Sequence, residues 1–258
     1  MTGAALVTGA ARRLGRAMAL YLAGRGHPVA IHYDRSADEA EAVAQQARSM
    51  GVPAVALQAD LLDDDATRAL IPAARAALGP LSVLVNNASI FEYDTIHSAT
   101  PTSWDRHIGS NLRAPFWLMQ DFAAQAAPAD LSGDEPRATG LIVNMVDQRV
   151  LKPTPEFMTY SLAKAGLWAL TRTAAQALAP AVRVNAIGPG PTMRGARQSQ
   201  QHFDGQRAAT ILQRGAGPDD VTAALGYFLD APAVTGQLIC VDGGQHLGWR
   251  TPDVQGVE

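Results

Sequence analysis

Ala4-Ala5-Leu6-Val7-Thr8-Gly9-Ala10-Ala11-Arg12-Arg13-Leu14-Gly15 is the stretch whose reading decides the fold. Its apolar start, residues 4–8, reads as a buried strand, and the alanine-rich periodicity over 13–25 reads as a helix. Between them lies a turn bracketed by Gly9 and Gly15. A strand that enters a helix through glycines can receive a dinucleotide. Glycine lets the backbone approach a pyrophosphate, and the helix N-terminus offers free N–H groups and the positive end of its dipole. Arg12, Arg13 and Leu14 complete the turn, with Arg13 where a middle glycine is usual. Two cations at a helix N-terminus oppose the dipole, and a bound anion would offset that cost.

Outward from this unit the same alternation continues to the end of the chain. Further strands are expected at 28–33, 54–60, 81–86, 140–145, 182–187 and 237–242. Helices are expected at 37–49, 65–78, 103–126, 156–179 and 218–230. Near-continuous apolar strands separated by helices imply an α/β fold, a doubly wound parallel sheet of about seven strands with helices on both faces. The 258 residues suit one domain, 1–258, and no linker divides them. Residues 127–140 read as an exposed connection. Segment 193–215 has little periodicity and reads either as a substrate lid or as an ordinary surface excursion. The tail, 248–258, reads as a frayed terminus or an arm toward a neighbouring subunit.

A net charge of -3 and a pI near 6.1 argue against nucleic acid as a partner. The single cysteine, Cys240, excludes an internal disulfide framework and reads as a buried, inert thiol. No signal-peptide layout and no membrane-length apolar run is visible, so a cytoplasmic protein without membrane contact is expected. No metal is expected.

Several strand ends carry polar residues that extend the glycine turn into a site. After the second strand come His32-Tyr33-Asp34-Arg35-Ser36. A protein that binds NAD tends to place an acid there for the ribose hydroxyls. Tyr33 holds that slot, and Arg35, Ser36 and Arg12 are candidates for a 2′-phosphate, which favours NADP(H). Asp34 is a reason for reserve. Asp60, with Leu61 beside it, ends the third strand and is a candidate cap for adenine. Asn86-Asn87-Ala88-Ser89 ends the fourth.

The chemistry-bearing pattern lies at Tyr160 and Lys164, four residues apart and so on one helix face. A tyrosine is a poor proton donor at neutral pH, and a nearby ammonium lowers its pKa by stabilising the phenolate. Thirteen residues before Tyr160, where ketone reductases keep a serine, stands Asp147.

Taken in order, TGAARRLG (8–15), NNAS (86–89), Asn111 in NLRAPF, YSLAK (160–164), RVNAIGPG (183–190) and VTGQLICVDGG (234–244) resemble the short-chain dehydrogenase/reductase family from end to end. The resemblance implies a Rossmann-type domain, commonly a homotetramer. It makes Tyr160 the proton donor and lets Lys164 lower its pKa and hold the nicotinamide ribose. Asn111 would support a water chain to Lys164, and Pro189, Gly190 and Thr192 would meet the nicotinamide end. The arginine in the glycine turn, HYDRS, NNASxF, NMVD and GPGP further resemble the pteridine reductase branch, including dihydromonapterin reductases, where an aspartate replaces the serine. Asp34 departs from a histidine found in part of that branch.

That likeness gives Asp147 a task. A pterin presents a C=N bond, so hydride goes to carbon and a proton must reach the adjacent nitrogen. A carboxyl near Tyr160 could hold pterin N–H groups or relay a proton, and it must be protonated to donate. By the same likeness Phe91 would stack the ring, although by sequence alone Phe91 reads as core. Ser89 and Arg13 would meet the pterin's polar edge or the cofactor phosphates, with Tyr93 and Met193 as lesser pocket candidates. The expected activity is NADPH-dependent reduction of a dihydropterin, dihydromonapterin or dihydrofolate. The alternatives are a carbonyl reductase, such as a 3-oxoacyl-carrier-protein reductase, and a regulator that binds NADPH without turnover.

Overall fold

In the computed structural model, which describes residues 3–195, 198–249 and 251, seven parallel strands carry the chain. They are β1 (Ala4–Val7), β2 (Val29–Tyr33), β3 (Ala54–Gln58), β4 (Leu81–Asn86), β5 (Gly140–Met145), β6 (Val182–Pro189) and β7 (Leu238–Val241), in the spatial order β3-β2-β1-β4-β5-β6-β7. The helices are α1 (Arg13–Gly24), α2 (Ala37–Ser49), α3 (Asp64–Leu78), α4 (Pro101–Ile108), α5 (Ala114–Gln125), α6 (Met158–Leu178), α7 (Gln200–Ala208) and α8 (Pro218–Asp230).

Strand alternation builds two cores from one sheet. Ala5 and Val7 of β1, Val83 and Val85 of β4, and Leu141 and Val143 of β5 pack beneath α1, α2 and α8. Their neighbours Ala4, Leu6, Leu84 and Ile142 point the other way, onto α3, α5 and α6. Both faces are covered by helices, which is why the strands are predominantly apolar. From β1 the chain winds outward to β3, then returns to β4 and winds the other way. The carboxyl ends of β1 and β4 therefore border a crevice at the point of reversal.

Two helical expectations change. The run 103–126 is not one helix: α4 and α5 are joined by one wider π turn, Gly109–Arg113. Pro115 has no N–H to return to the carbonyl four residues back, so the regular ladder cannot run through this point. Within 193–215 a helix forms after all, α7, capped by the Ser199 hydroxyl accepting from the His202 N–H at 3.1 Å. It buries no side chain, which explains why no periodicity announced it. Cys240 is half-buried rather than buried, and burial, followed by Asp242 and Asp147, pushes its thiol up to about 12. Among the described residues no helix is long and apolar enough to cross a membrane.

Candidate active site

The glycine turn is shaped by what leaves no room for a side chain. Gly9 has φ +60°, and a Cβ on Gly15 would stand 2.3 Å from the Gly9 carbonyl oxygen and 2.5 Å from Asn87 Nδ2. The turn is tied to β4 by Thr8, whose hydroxyl accepts from the N–H groups of Asn87 (2.8 Å) and Ala88 (3.0 Å). Asn87 Nδ2 returns a bond to the Thr8 carbonyl at 2.8 Å. No side chain caps α1 and no acid lies in its first turn, so the end that faces the crevice presents backbone N–H groups and positive dipole. A cavity of about 420 Å³ opens over it. Gly9, Arg12, Arg13, Leu14 and Gly15 line one side. Asp60, Leu61, Asn87, Ala88 and Ser89 line the other. A glycine cradle with a free helix N-terminus fits a pyrophosphate.

His32, which sequence reasoning passed over, also lines this cavity. Its Nδ1 accepts from the Gly9 N–H at 3.0 Å, so the ring proton sits on Nε2 and is donated to the Ala59 carbonyl at 3.1 Å. Burial lowers its pKa and keeps it neutral. At the end of β2, Asp34 lines the cavity, while Tyr33, Arg35 and Ser36 are not among its lining residues. Arg35 pairs with Asp34 at 3.4 Å, and Arg12 pairs with Glu39 of α2. A 2′-phosphate at this end would compete with those two carboxylates for the guanidinium groups. Arg13 is turned elsewhere. It adopts φ +54°, and its two terminal nitrogens donate to the carbonyls of Met193 and Arg194, each at 2.9 Å. The cofactor turn is thereby joined to the first residues of segment 193–215.

The second group of residues gathers at the carboxyl ends of β4, β5 and β6. Tyr160 and Lys164 lie in the first turns of α6, both buried. The Tyr160 hydroxyl donates to Asp147 Oδ2 at 2.9 Å. Asp147 caps a short 3-10 turn, Gln148–Val150, and its Oδ1 accepts from the Arg149 N–H at 2.9 Å. Burial pushes the Asp147 carboxyl upward, only partly opposed by the Arg149 N–H, the Tyr160 hydroxyl and the charges of Arg149 and Lys164. Lys164 donates to the Met145 carbonyl at 2.7 Å, and burial lowers its pKa to about 8.

Here one expectation is corrected. Lys164 was expected to bring Tyr160 down. Instead burial, then the charge and hydrogen bond of Asp147, hold the phenol well above its ordinary value. Burial pushes both the carboxyl and the phenol upward, and the two sit 2.9 Å apart. Such a pair holds protons ready to share with a basic atom placed between them.

Asn111 lies buried in the π turn and clamps the loop that leaves β4. Its Nδ2 donates to the Ile90 carbonyl at 2.8 Å, and its Oδ1 accepts from the Ile90 N–H at 2.9 Å. This fixes the approach to Phe91. The ring of Phe91 is 44% exposed, so it is not core; it meets Tyr160 edge-on at 4.7 Å and stacks on Phe157 at 4.2 Å and 9°. Tyr93 adds an edge contact to Phe157 at 5.2 Å. Pro189 closes β6, Gly190 lies so close to Asp242 that a Cβ would meet its Cβ at 2.5 Å, and Thr192 donates to the Gly190 carbonyl at 3.1 Å. Of the tail, Gly248, Trp249 and Thr251 are described, and Lys152 donates to the Gly248 carbonyl at 3.3 Å. Arg250 and residues 252–258 lie outside the described residues.

A buried network holds the start of α6. The His107 Nε2 accepts from the Glu92 N–H at 3.1 Å, so its Nδ1 carries the proton and donates to Thr159 Oγ1 at 2.6 Å. Thr159 in turn donates its hydroxyl to Asp94, which also accepts the Thr159 N–H at 3.1 Å. Burial would raise Asp94, but the Thr159 and Ser103 hydrogen bonds and His107 together hold it low. Asp94, His107, Thr159, Arg149 and Phe157 were not singled out from the sequence. No motif marks them: Asp94 and His107 meet Thr159 across 65 and 52 residues, and Phe157 meets Phe91 only in the folded chain.

The model of the short chain dehydrogenases matches residues 3–204. FolM alternative dihydrofolate reductase 1 from Brucella suis, solved in complex with NADP, is 44% identical. The similarity covers 98% of this chain and 100% of that one, with a TM-score of 0.90. A short chain dehydrogenase from Burkholderia cenocepacia, in complex with NADP, is 31% identical over 95% of this chain and 98% of that one, with a TM-score of 0.85. The 3-oxoacyl-[acyl-carrier-protein] reductase FabG of Staphylococcus aureus is 34% identical over 252 residues, 96% of this chain and 99% of that protein.

Proposed function

For a chain that belongs to the short-chain dehydrogenase family, we propose an NADP(H)-dependent reductase that converts a dihydropterin, dihydromonapterin or dihydrofolate, to its tetrahydro form. The observation that carries this reading is the Tyr160 hydroxyl bonded to the Asp147 carboxyl at 2.9 Å, beneath the exposed ring of Phe91. The NADP complexes of the solved relatives support the cofactor. The 44% identity to an alternative dihydrofolate reductase supports the substrate class.

The turn residues Gly9, Leu14 and Gly15 receive the pyrophosphate, Arg12 and Arg35 the 2′-phosphate, and Lys164 the nicotinamide ribose. Bound NADPH supplies the hydride. Phe91 stacks the flat pterin ring, which aromatic contact favours by about 0.5–1.5 kcal/mol beyond burial. Asp147, whose carboxyl burial pushes upward, donates in its protonated form to a pterin nitrogen, and Tyr160 supplies or orients the proton for the nitrogen beside the carbon that is reduced. Asn111 keeps the Phe91 segment in place. A cytoplasmic homotetramer is part of the proposal.

A second reading, reduction of a 3-oxoacyl thioester, is favoured by the FabG likeness and by the presence of Asn111, Tyr160 and Lys164. The test is NADPH oxidation with dihydromonapterin, dihydrofolate and an acetoacetyl thioester in parallel. Turnover of a pterin is expected. Turnover of the thioester alone would replace this reading with the second, and NADPH binding without any turnover would point to a regulator.

A further inference from the structure

We propose that Arg149 is a positioning residue for the Asp147–Tyr160 pair: its backbone N–H aims the carboxyl, and its guanidinium holds the Phe91–Phe157 wall against the tyrosine. The inference rests on Asp147 and Tyr160 being the proton-handling pair, and not on which substrate they serve.

Four observations converge on this residue. Its N–H occupies Asp147 Oδ1 at 2.9 Å, which leaves Oδ2 for Tyr160. Its guanidinium lies over the ring of Phe157 at 4.9 Å and near that of Phe91 at 5.9 Å. Phe157 has φ +56°, a conformation that a residue with a side chain rarely adopts and that needs support from its surroundings. The support comes from Phe91, Tyr93 and Arg149, and Arg149 also donates to Thr154 Oγ1 at 3.2 Å in the loop that leads to Phe157. One arginine therefore connects the carboxyl, the aromatic wall and the entry to α6.

Its charge has a second consequence. Among the described residues no carboxylate lies within ion-pair distance of its guanidinium, so the positive charge acts on the site. The charged and titratable groups facing the pair are Arg149 from the 3-10 turn, Lys164 from α6, His107 from α4, whose ring lies 6.1 Å from that of Tyr160, and Cys240 from β7. Arg149 pulls both members of the pair downward, against burial.

The test compares Arg149→Gln, Arg149→Lys and Arg149→Met with the unmodified chain. Carbon-13 NMR follows the Asp147 carboxyl as pH is raised, its signal identified by its loss in Asp147→Asn. In Arg149→Gln the Asp147 titration moves to higher pH, and kcat for whichever substrate is reduced falls roughly ten- to a hundredfold, the scale of a small displacement of reacting groups. NADPH affinity stays close to its original value. Arg149→Lys returns the titration toward its original position, because the charge is kept, but recovers only part of kcat, because a lysine lacks the planar group that lies on the rings. Arg149→Met keeps an apolar stem over Phe157 and replaces the glutamine variant if that one does not fold. An unmoved titration in Arg149→Gln with unchanged kcat overturns the proposal. So does a loss confined to KM for a pterin with a carboxylated tail, which would make Arg149 a receptor for that tail. If no pterin and no thioester is turned over, the functional reading fails, while the titration still judges Arg149.

Discussion

Replacing Asp147 with serine restores the residue that ketone reductases keep at this place and removes the group on which the pterin reading depends. The structure sets the size of the effect. The lost contact is the 2.9 Å bond from the Tyr160 hydroxyl, and a serine hydroxyl stands roughly a bond length nearer the backbone and cannot reach it. The bond to Tyr160 and the bond the carboxyl would make to the pterin are each worth about 1 kcal/mol between neutral groups, together roughly 30-fold in rate if they are made only in the transition state. The bond from the Arg149 N–H at 2.9 Å is weakened less, since a serine oxygen can accept from a residue two places on. The 3-10 turn should therefore keep its shape. The assay is steady-state NADPH oxidation with dihydromonapterin, dihydrofolate and an acetoacetyl thioester. Pterin kcat/KM is expected to fall by at least about tenfold, with thioester reduction appearing or rising. Unchanged pterin turnover in Asp147→Ser would refute the reasoning and leave Asp147 a structural acid.

Three further expectations follow from the geometry. Gly15→Ala places a Cβ 2.3 Å from the Gly9 carbonyl oxygen, against backbone that cannot yield cheaply, so NADPH affinity by fluorescence titration should weaken by about tenfold or more. Lys164 has a folded pKa near 8, below its ordinary 10.5, so the unfolded chain binds more protons between those values and stability rises with pH across that window. Lys164→Met should end turnover yet leave stability at neutral pH equal or higher, by up to about 2 kcal/mol after loss of the bond to Met145, as read by denaturant unfolding at pH values on both sides of the window. Thr159→Val leaves the His107 Nδ1–H and one Asp94 oxygen without their shared hydroxyl, and should cost about 1–3 kcal/mol, lowering Tm by several degrees in calorimetry.

The solved relative from Brucella suis and the acyl-carrier-protein reductase from Staphylococcus aureus share this chain's fold family but differ in the chemistry their names describe. In this chain Asp147 is the group to which the proposal assigns that difference, since its buried carboxyl is bonded to the Tyr160 hydroxyl at 2.9 Å and burial pushes it upward.

Much of the architecture was legible in residues 4–15 and in the recurring strand-helix periods, because burial on two faces imposes a local pattern and a close backbone approach demands glycine where it occurs. The glycine turn and the Tyr160–Lys164 spacing were visible as local patterns, and the structure groups that turn with Asn87 and Asp60 around one cavity. Other features required the folded chain. Arg13 turns to carbonyls 180 and 181 residues away, Phe91 leaves the core to stack on Phe157, and His107 completes a network with Thr159 and Asp94. The direction in which Tyr160 titrates also belongs to the tertiary structure. Spacing alone pairs it with Lys164, but burial comes from every element packed around the phenol, and together with Asp147 it holds the proton in place.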